Sequence, residues 1–176
     1  GFVLAKALTR GLELVTAAAF LDATVAEFIS LGLPGAEACP EVRRLLLSAE
    51  PRGSREECWN WRAPRLHIES SLKARGRLYN GYPCTAEYFG SYCIDGLAVA
   101  LWSFYHTESF LQAIVRCVNF RGDADTTAAI AGQLAGAFYG YGAIDSRLLS
   151  ALEVWDDQDT ACRGALLFAS RHQAGR

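Results

Sequence analysis

The chain has 176 residues, just over half of them apolar (51%), with 17 basic against 19 acidic side chains and a formal charge of −2. That length suits one domain with a sizeable core, and the near-balance of charge argues against electrostatically driven nucleic-acid or membrane binding. Six cysteines without a Cys-x-x-Cys pair argue against a zinc knuckle or a dense disulfide framework. Buried free thiols in a reducing, intracellular (cytoplasmic) compartment are the simplest reading, with one or two disulfides left open.

The first thirty residues are apolar-rich, but Lys6, Arg10, Glu13, Asp22 and Glu27 interrupt them. They therefore cannot supply the roughly 20 apolar residues of a membrane span, nor the core of a signal peptide. Leu4, Leu8, Leu12 and Val15, then Ala18, Leu21, Val25, Phe28 and Ile29, recur at three- and four-residue steps and predict helix. The Leu31–Gly35 run stops it, and a short helix is expected around Pro40–Ala49. Residues 50–91 hold Pro51, Gly53, Pro64, Gly76, Gly81, Pro83 and Gly90, with aromatic and basic side chains scattered between and no period. They read as a long irregular insertion or loop. Aromatics beside cations can clamp a nucleotide-like ligand, though a partly ordered surface excursion fits the missing period better.

From Cys93 the helical period returns. Leu97, Leu101, Phe104 and Tyr105 form one apolar stripe; Phe110, Leu111, Ile114, Val115 and Val118 form another, with Thr107 as the expected N-cap between them. A third helix is expected through Ala128–Tyr139, and two closing helices at Ile144–Leu152 and Ala161–Ala169. No stretch alternates long enough to predict a strand, so the fold class is all-α.

Asp123, Asp125 and Thr126 stand at the predicted start of the third helix, after Gly122. Two carboxylates and a hydroxyl within four residues are hard oxygen donors suited to magnesium, manganese or calcium. The same acids could instead merely cap the helix. An EF-hand does not fit, because positions five, six and twelve from Asp123 hold Thr127, Ala128 and Leu134. The Arg121-Gly122-Asp123 tripeptide runs straight into an apolar helix, which argues against an adhesion loop. Gly132, Gly136 and Gly140 fall on one face and predict very close packing of another backbone. His67, His106 and His172 are not arranged as a catalytic set.

The run from Asn119 to Gly140 resembles the C-terminal motif of the ADP-ribosylglycohydrolase family, Gly-Asp-x-Asp-Thr followed by an Ala/Ile-rich helix with glycines every four residues. Gly90–Leu101 is similar to the glycine–aromatic turn and helix that precede it, and Thr107–Val118 to the intervening helix. The strong likeness covers roughly residues 88–148. The resemblance implies an orthogonal all-α bundle in which Asp123, Asp125 and Thr126 help bind two Mg2+ ions (Mn2+ being possible), with Gly122 and Tyr92 lining the substrate pocket. It implies hydrolysis of the glycosidic bond that joins ADP-ribose to a protein or a small molecule. Arg121 stands where relatives often have glycine, and either narrows the pocket or reaches a phosphate.

The family's other metal-binding motifs, an early Gly-Asp and a Thr-Asp-Asp-Thr type, do not occur before Gly122. The Asp156-Asp157 pair comes too late and is expected to cap the final helix. With no methionine in the chain, residues 1–176 read as the C-terminal part of one domain, dependent on an N-terminal half, and impaired alone. A non-catalytic ADP-ribose-binding module and a crystallin-like structural protein are the alternatives.

Overall fold

A computed structural model describes residues 1–9, 15–32 and 39–173. Among these, nine α-helices follow in order: α1 (Phe2–Thr9), α2 (Ala17–Ser30), α3 (Pro40–Leu47), α4 (Ile68–Arg75), α5 (Cys93–Tyr105), α6 (Phe110–Asn119), α7 (Ala124–Tyr139), α8 (Ser146–Asp156) and α9 (Asp159–Gln173). The only described strands, β1 (Leu78–Tyr79) and β2 (Tyr82–Pro83), form one small antiparallel hairpin. The expected all-α class is therefore what the chain adopts. The chain divides into residues 1–143 and 144–176.

The apolar period over residues 1–30 is carried by two helices. Thr16 starts the second by accepting the Ala19 N–H at 3.1 Å, a capping bond worth about 1 kcal/mol. Leu12 and the Leu33–Gly35 part of the stop signal lie outside the described residues.

Helix α5 is the core of the first unit. Ile94, Asp95, Ala98, Val99, Ala100, Leu101, Ser103 and Phe104 are all buried, so its buried face is wider than a single stripe, with Cys93, Leu97, Trp102 and Tyr105 left more open. It packs against α2, α3, α6 and α7. Phe20, Phe104 and Phe138 meet at centroid distances of 5.0 to 6.5 Å and join α2, α5 and α7.

Helix α6 begins differently from the sequence expectation. Ser109, not Thr107, is its N-cap and accepts the Gln112 N–H. Thr107 is buried, and its hydroxyl donates to the Ser103 carbonyl at 2.7 Å, closing α5 instead. The buried face of α6 is Phe110, Ala113 and Cys117, while Leu111, Val115 and Val118 are exposed. The glycine face of α7 also differs. A Cβ on Gly132 would meet the Ile114 side chain at 3.5 Å, and one on Gly136 would meet the Phe110 ring at 3.8 Å. Both are ordinary side-chain contacts, and Gly140 ends the helix with φ 84°. These glycines make room for α6 side chains rather than for a backbone.

Residues 50–91 hold more structure than their missing period suggests. They contain helix α4, the β hairpin and two short 3-10 turns. Cys58, Trp59 and Trp61 are 0% exposed. Trp61 Nε1 donates to Leu45 O at 2.8 Å, and Arg62 Nη1 donates to Leu46 O and Leu47 O. The segment thus satisfies carbonyls that the C-terminus of α3 cannot satisfy itself. The cations and aromatics stack on one another: Arg62 lies 4.1 Å from the Trp61 ring centroid and Arg75 lies 3.8 Å from that of Tyr79.

Arg75 and Asp95 anchor this arrangement. Arg75 donates through Nη1 to Asp95 Oδ2 at 2.6 Å and through Nη2 to Oδ1 at 2.8 Å. Trp59 Nε1 adds a bond to Oδ1 at 2.8 Å, and Arg75 Nε donates to the Arg55 carbonyl. Both charged side chains are buried.

All six thiols are free: Cys58 and Cys117 are buried, Cys39 and Cys84 half-buried, Cys93 and Cys162 exposed. In the second unit, Asp145 caps α8 by accepting the Arg147 N–H. Asp156 accepts the N–H groups of Gln158 and Thr160 at the start of α9, the capping role expected of it. Among the described residues no helix is long and apolar enough to cross a membrane.

Two outcomes follow from the buried groups. Asp95→Ala strands the Arg75 charge in the interior and should destabilise the first unit by about 3–5 kcal/mol, read as a shift in urea midpoint. The double variant Arg75→Met, Asp95→Leu should recover much of that loss. Burial pushes the Cys58 thiol up to about 12. Iodoacetamide at pH 8 should therefore modify Cys93 and Cys162 rapidly, and Cys58 only after unfolding; peptide mass mapping checks the order.

Candidate functional site

Helix α6 ends with the Arg121 N–H donating to Val118 O at 3.2 Å. Arg121 and Gly122 both take left-handed conformations, with φ of 70° and 66°. These two steps reverse the chain, so that α7 starts at Ala124 only a few residues after α6 has stopped.

The reversal is wedged beneath a neighbouring turn. A Cβ on Gly122 would lie 2.1 Å from the Phe89 carbonyl oxygen, so no other residue fits without displacement. The Asp123 N–H donates to the same oxygen at 2.9 Å. Phe89 is buried, with its ring 5.9 Å from Phe120. A Cβ on Gly96 would likewise lie 2.7 Å from the Gly90 carbonyl, and one on Gly90 would lie 3.0 Å from the Thr127 methyl. Gly90, Gly96 and Gly122 thus let the 86–90 turn, the start of α5 and the start of α7 meet closely.

Asp123 occupies the N-cap position of α7 yet makes no side-chain capping bond. Its carboxylate is therefore not consumed by the helix. Asp125 and Thr126 lie exposed in the first turn, and Asp123 is half-buried. The Thr126 N–H, followed by the Asp123 carboxyl and its own N–H, holds the Asp125 carboxyl below its ordinary range. The two carboxyls are thus close together. Thr127 turns the other way: it is buried, and its hydroxyl donates to Asp123 O at 3.0 Å. Of the two adjacent threonines, Thr126 has the accessible hydroxyl.

This donor set has the hard-oxygen chemistry of a magnesium site. It supplies three side chains, and among the described residues no group of three or more His, Cys, Asp or Glu could hold a metal ion.

Tyr92 lies on the other side of the same turn. It lines a cavity of about 130 Å³ with Arg75, Tyr79, Tyr82, Tyr88 and Asp95, a lining that does not include Asp123, Asp125 or Thr126. Its ring meets Tyr79 edge-on at 5.6 Å, and burial raises its hydroxyl pKa. His106 Nε2 lies 3.1 Å from Trp61 O, and burial keeps this imidazole neutral to lower pH. His67 stands 3.9 Å from Glu57. The side chain of His172 lies outside the described residues.

Sequence reasoning missed the Phe89 carbonyl, which seats the acid loop, and the Arg75–Asp95 pair behind the cavity. One signal for the pair was available: Asp95 is the only acid in the otherwise apolar run from Cys93 to Tyr105.

Residues 3–175 match the ADP-ribosylglycohydrolase family, and the chain belongs to it. It is 44% identical over 61 residues to the ADP-ribosylarginine hydrolase Tri1 of Serratia proteamaculans, covering 35% of this chain and 17% of that protein. It is 42% identical over 64 residues to the ADP-ribosyl-[dinitrogen reductase] glycohydrolase of Rhodospirillum rubrum, covering 36% of this chain and 22% of that protein. A Tri1 protein of Pseudomonas putida is 49% identical over 49 residues, covering 28% and 13%. The matches therefore span less than a quarter of each relative's length. No solved structure matches the chain.

Gly122→Ala tests the wedge. The left-handed backbone alone should destabilise the variant by about 1–3 kcal/mol. Gly53→Ala is the control, since Gly53 has φ 76° and nothing within 4 Å. Gly122→Ala should lower the melting temperature distinctly more than Gly53→Ala. Equal losses would mean that the Phe89 carbonyl does not constrain the loop.

Proposed function

We propose that Asp123, Asp125 and Thr126 form part of a magnesium site that removes ADP-ribose from ADP-ribosylated arginine in a protein or small molecule. The observation that carries this reading is the carboxyl of Asp123, which makes no helix-capping bond and instead pairs with Asp125 at a helix start whose backbone is tied to the Phe89 carbonyl. Family membership supports the ADP-ribosyl substrate class, and the names of two relatives support the arginine linkage. The geometry of an acid cap alone would leave that carboxylate without a role.

Bound magnesium supplies Lewis-acid polarisation of a water and of ribose hydroxyls. The chain's own residues hold and orient. Asp123 and Asp125 offer charged oxygens, Thr126 a neutral one, and Gly122 keeps the floor of the loop free of side chains. Tyr92 lines a separate cavity across the 88–92 turn and takes no part in the proposed acid site. Magnesium asks for near-octahedral oxygen coordination, which three side chains do not fill. The remaining ligands are assigned to a segment bearing the family's Gly-Asp and Thr-Asp-Asp-Thr motifs. The shortage of acids also favours a second reading, an ADP-ribose-binding module without turnover.

An ADP-ribosylated arginine peptide with magnesium discriminates these. The chain alone should release little ADP-ribose, and addition of a polypeptide bearing the two missing motifs should restore release. In that complete system Asp123→Ala should lower the rate at least about 100-fold. Rapid turnover by the chain alone would reject the shared site, and binding without turnover in the complete system would favour the second reading.

A further inference from the structure

Arg121 departs from ordinary backbone chemistry immediately before the acids. It sits in the left-handed region with φ 70°, where an L side chain is strained and glycine is not. The backbone on both sides is pinned, by Arg121 N–H to Val118 O before it and by Asp123 N–H to Phe89 O after it. The direction of its Cα–Cβ bond is therefore fixed, and the strain is not relieved by local rearrangement. Ser48, Asn80, Asp157 and Gln158 also take positive φ, but of these five described positions only Arg121 adjoins Asp123 and Asp125, and strain kept beside a candidate site is a reason to look for a role there.

The side chain finds no partner to explain the strain. Arg121 is exposed, and its side chain makes no ion pair or hydrogen bond among the described residues, although Asp123 is only two residues away. Arg121 is not among the residues that line the described cavities of the first unit, so it narrows none of them. A free guanidinium beside two acids, and not paired with them, is instead available to an anion brought by a ligand. Its planar fork matches phosphate oxygens in two parallel bonds.

We infer that Arg121 is a specificity-determining residue that contacts a phosphate of the ADP-ribosyl group while the acids face the ribose. The inference rests on the reading of Asp123, Asp125 and Thr126 given above, and it decides between the two roles left open for this arginine.

Titration calorimetry with ADP-ribose and with adenosine, the latter having no phosphate, tests it on the full chain in magnesium. Arg121→Gly should weaken ADP-ribose binding about tenfold, the loss of a charge-assisted bond. Adenosine affinity should be unchanged, and the melting temperature equal or higher because glycine relieves the strain. Arg121→Lys should retain part of the affinity, and Arg121→Glu should bind worse than Arg121→Gly. Wild-type affinity in Arg121→Gly would overturn the inference and leave the metal-site reading standing. An equal loss for adenosine would assign Arg121 a structural role and overturn it too. Failure of the parent chain to bind ADP-ribose, alone or with the motif-bearing segment, would overturn both.

Discussion

The first unit is organised around one electrostatic problem. Helix α5 is buried along most of its length, and its first turn carries Asp95, 3% exposed. An unpaired carboxylate there would be prohibitively unfavourable. Arg75 answers it with two bonds, Trp59 adds a third, and the Tyr79 ring covers the guanidinium. Because those partners come from residues 59–79, the middle segment has to fold against α5. Such a pair adds little net stability over an apolar one; it specifies which surfaces meet. Fixing the start of α5 also fixes the 86–92 turn before it. Through Phe89 O, that turn fixes the backbone of Asp123.

The helices and the acid cluster were legible because they rest on local rules. Periods near 3.6 mark α2, α5, α6 and α7, and Asp123, Asp125 and Thr126 fall together because four consecutive residues at a helix start cannot separate far. What was not legible depended on partners distant in the chain. Trp59 and Trp61 are buried by helices that precede and follow them, so no period within 50–91 could announce it. Thr107 and Ser109 are both capping residues, and only the burial of Thr107 against α5 decided between them. The glycines of α7 were read as a backbone contact because sequence shows only the missing Cβ. Whether a backbone or a side chain such as Ile114 fills the space is a tertiary fact.

The glycines therefore divide into two kinds. Gly132 and Gly136 meet side chains at ordinary distances, and a methyl group there would ask for small adjustments. Gly96 and Gly122 meet backbone carbonyls, at 2.7 and 2.1 Å from an added Cβ, and a carbonyl held by its own chain cannot rotate away. The first kind tunes packing between α6 and α7. The second kind joins three chain segments at one point, beside the acids.

Two departures from local rules meet at that point. Thr16, Ser109 and Asp145 each stand at an N-cap and each accept a backbone N–H, gaining the usual stabilisation of about 1 kcal/mol. Asp123 stands at an N-cap, is equally able to do so, and does not. Two residues earlier Arg121 keeps a conformation that glycine would adopt without strain. A sequence shaped only by stability would have capped α7 and placed glycine at 121. Ser48, Asn80, Asp157 and Gln158 also take positive φ, and Cys39, His67 and Tyr92 also stand at N-caps without a side-chain bond, but at no other described helix start do both departures occur beside a pair of acids. Local rules are expected to yield where a side chain is reserved for a ligand. On this ground we propose the acid loop as a functional site rather than a helix cap alone.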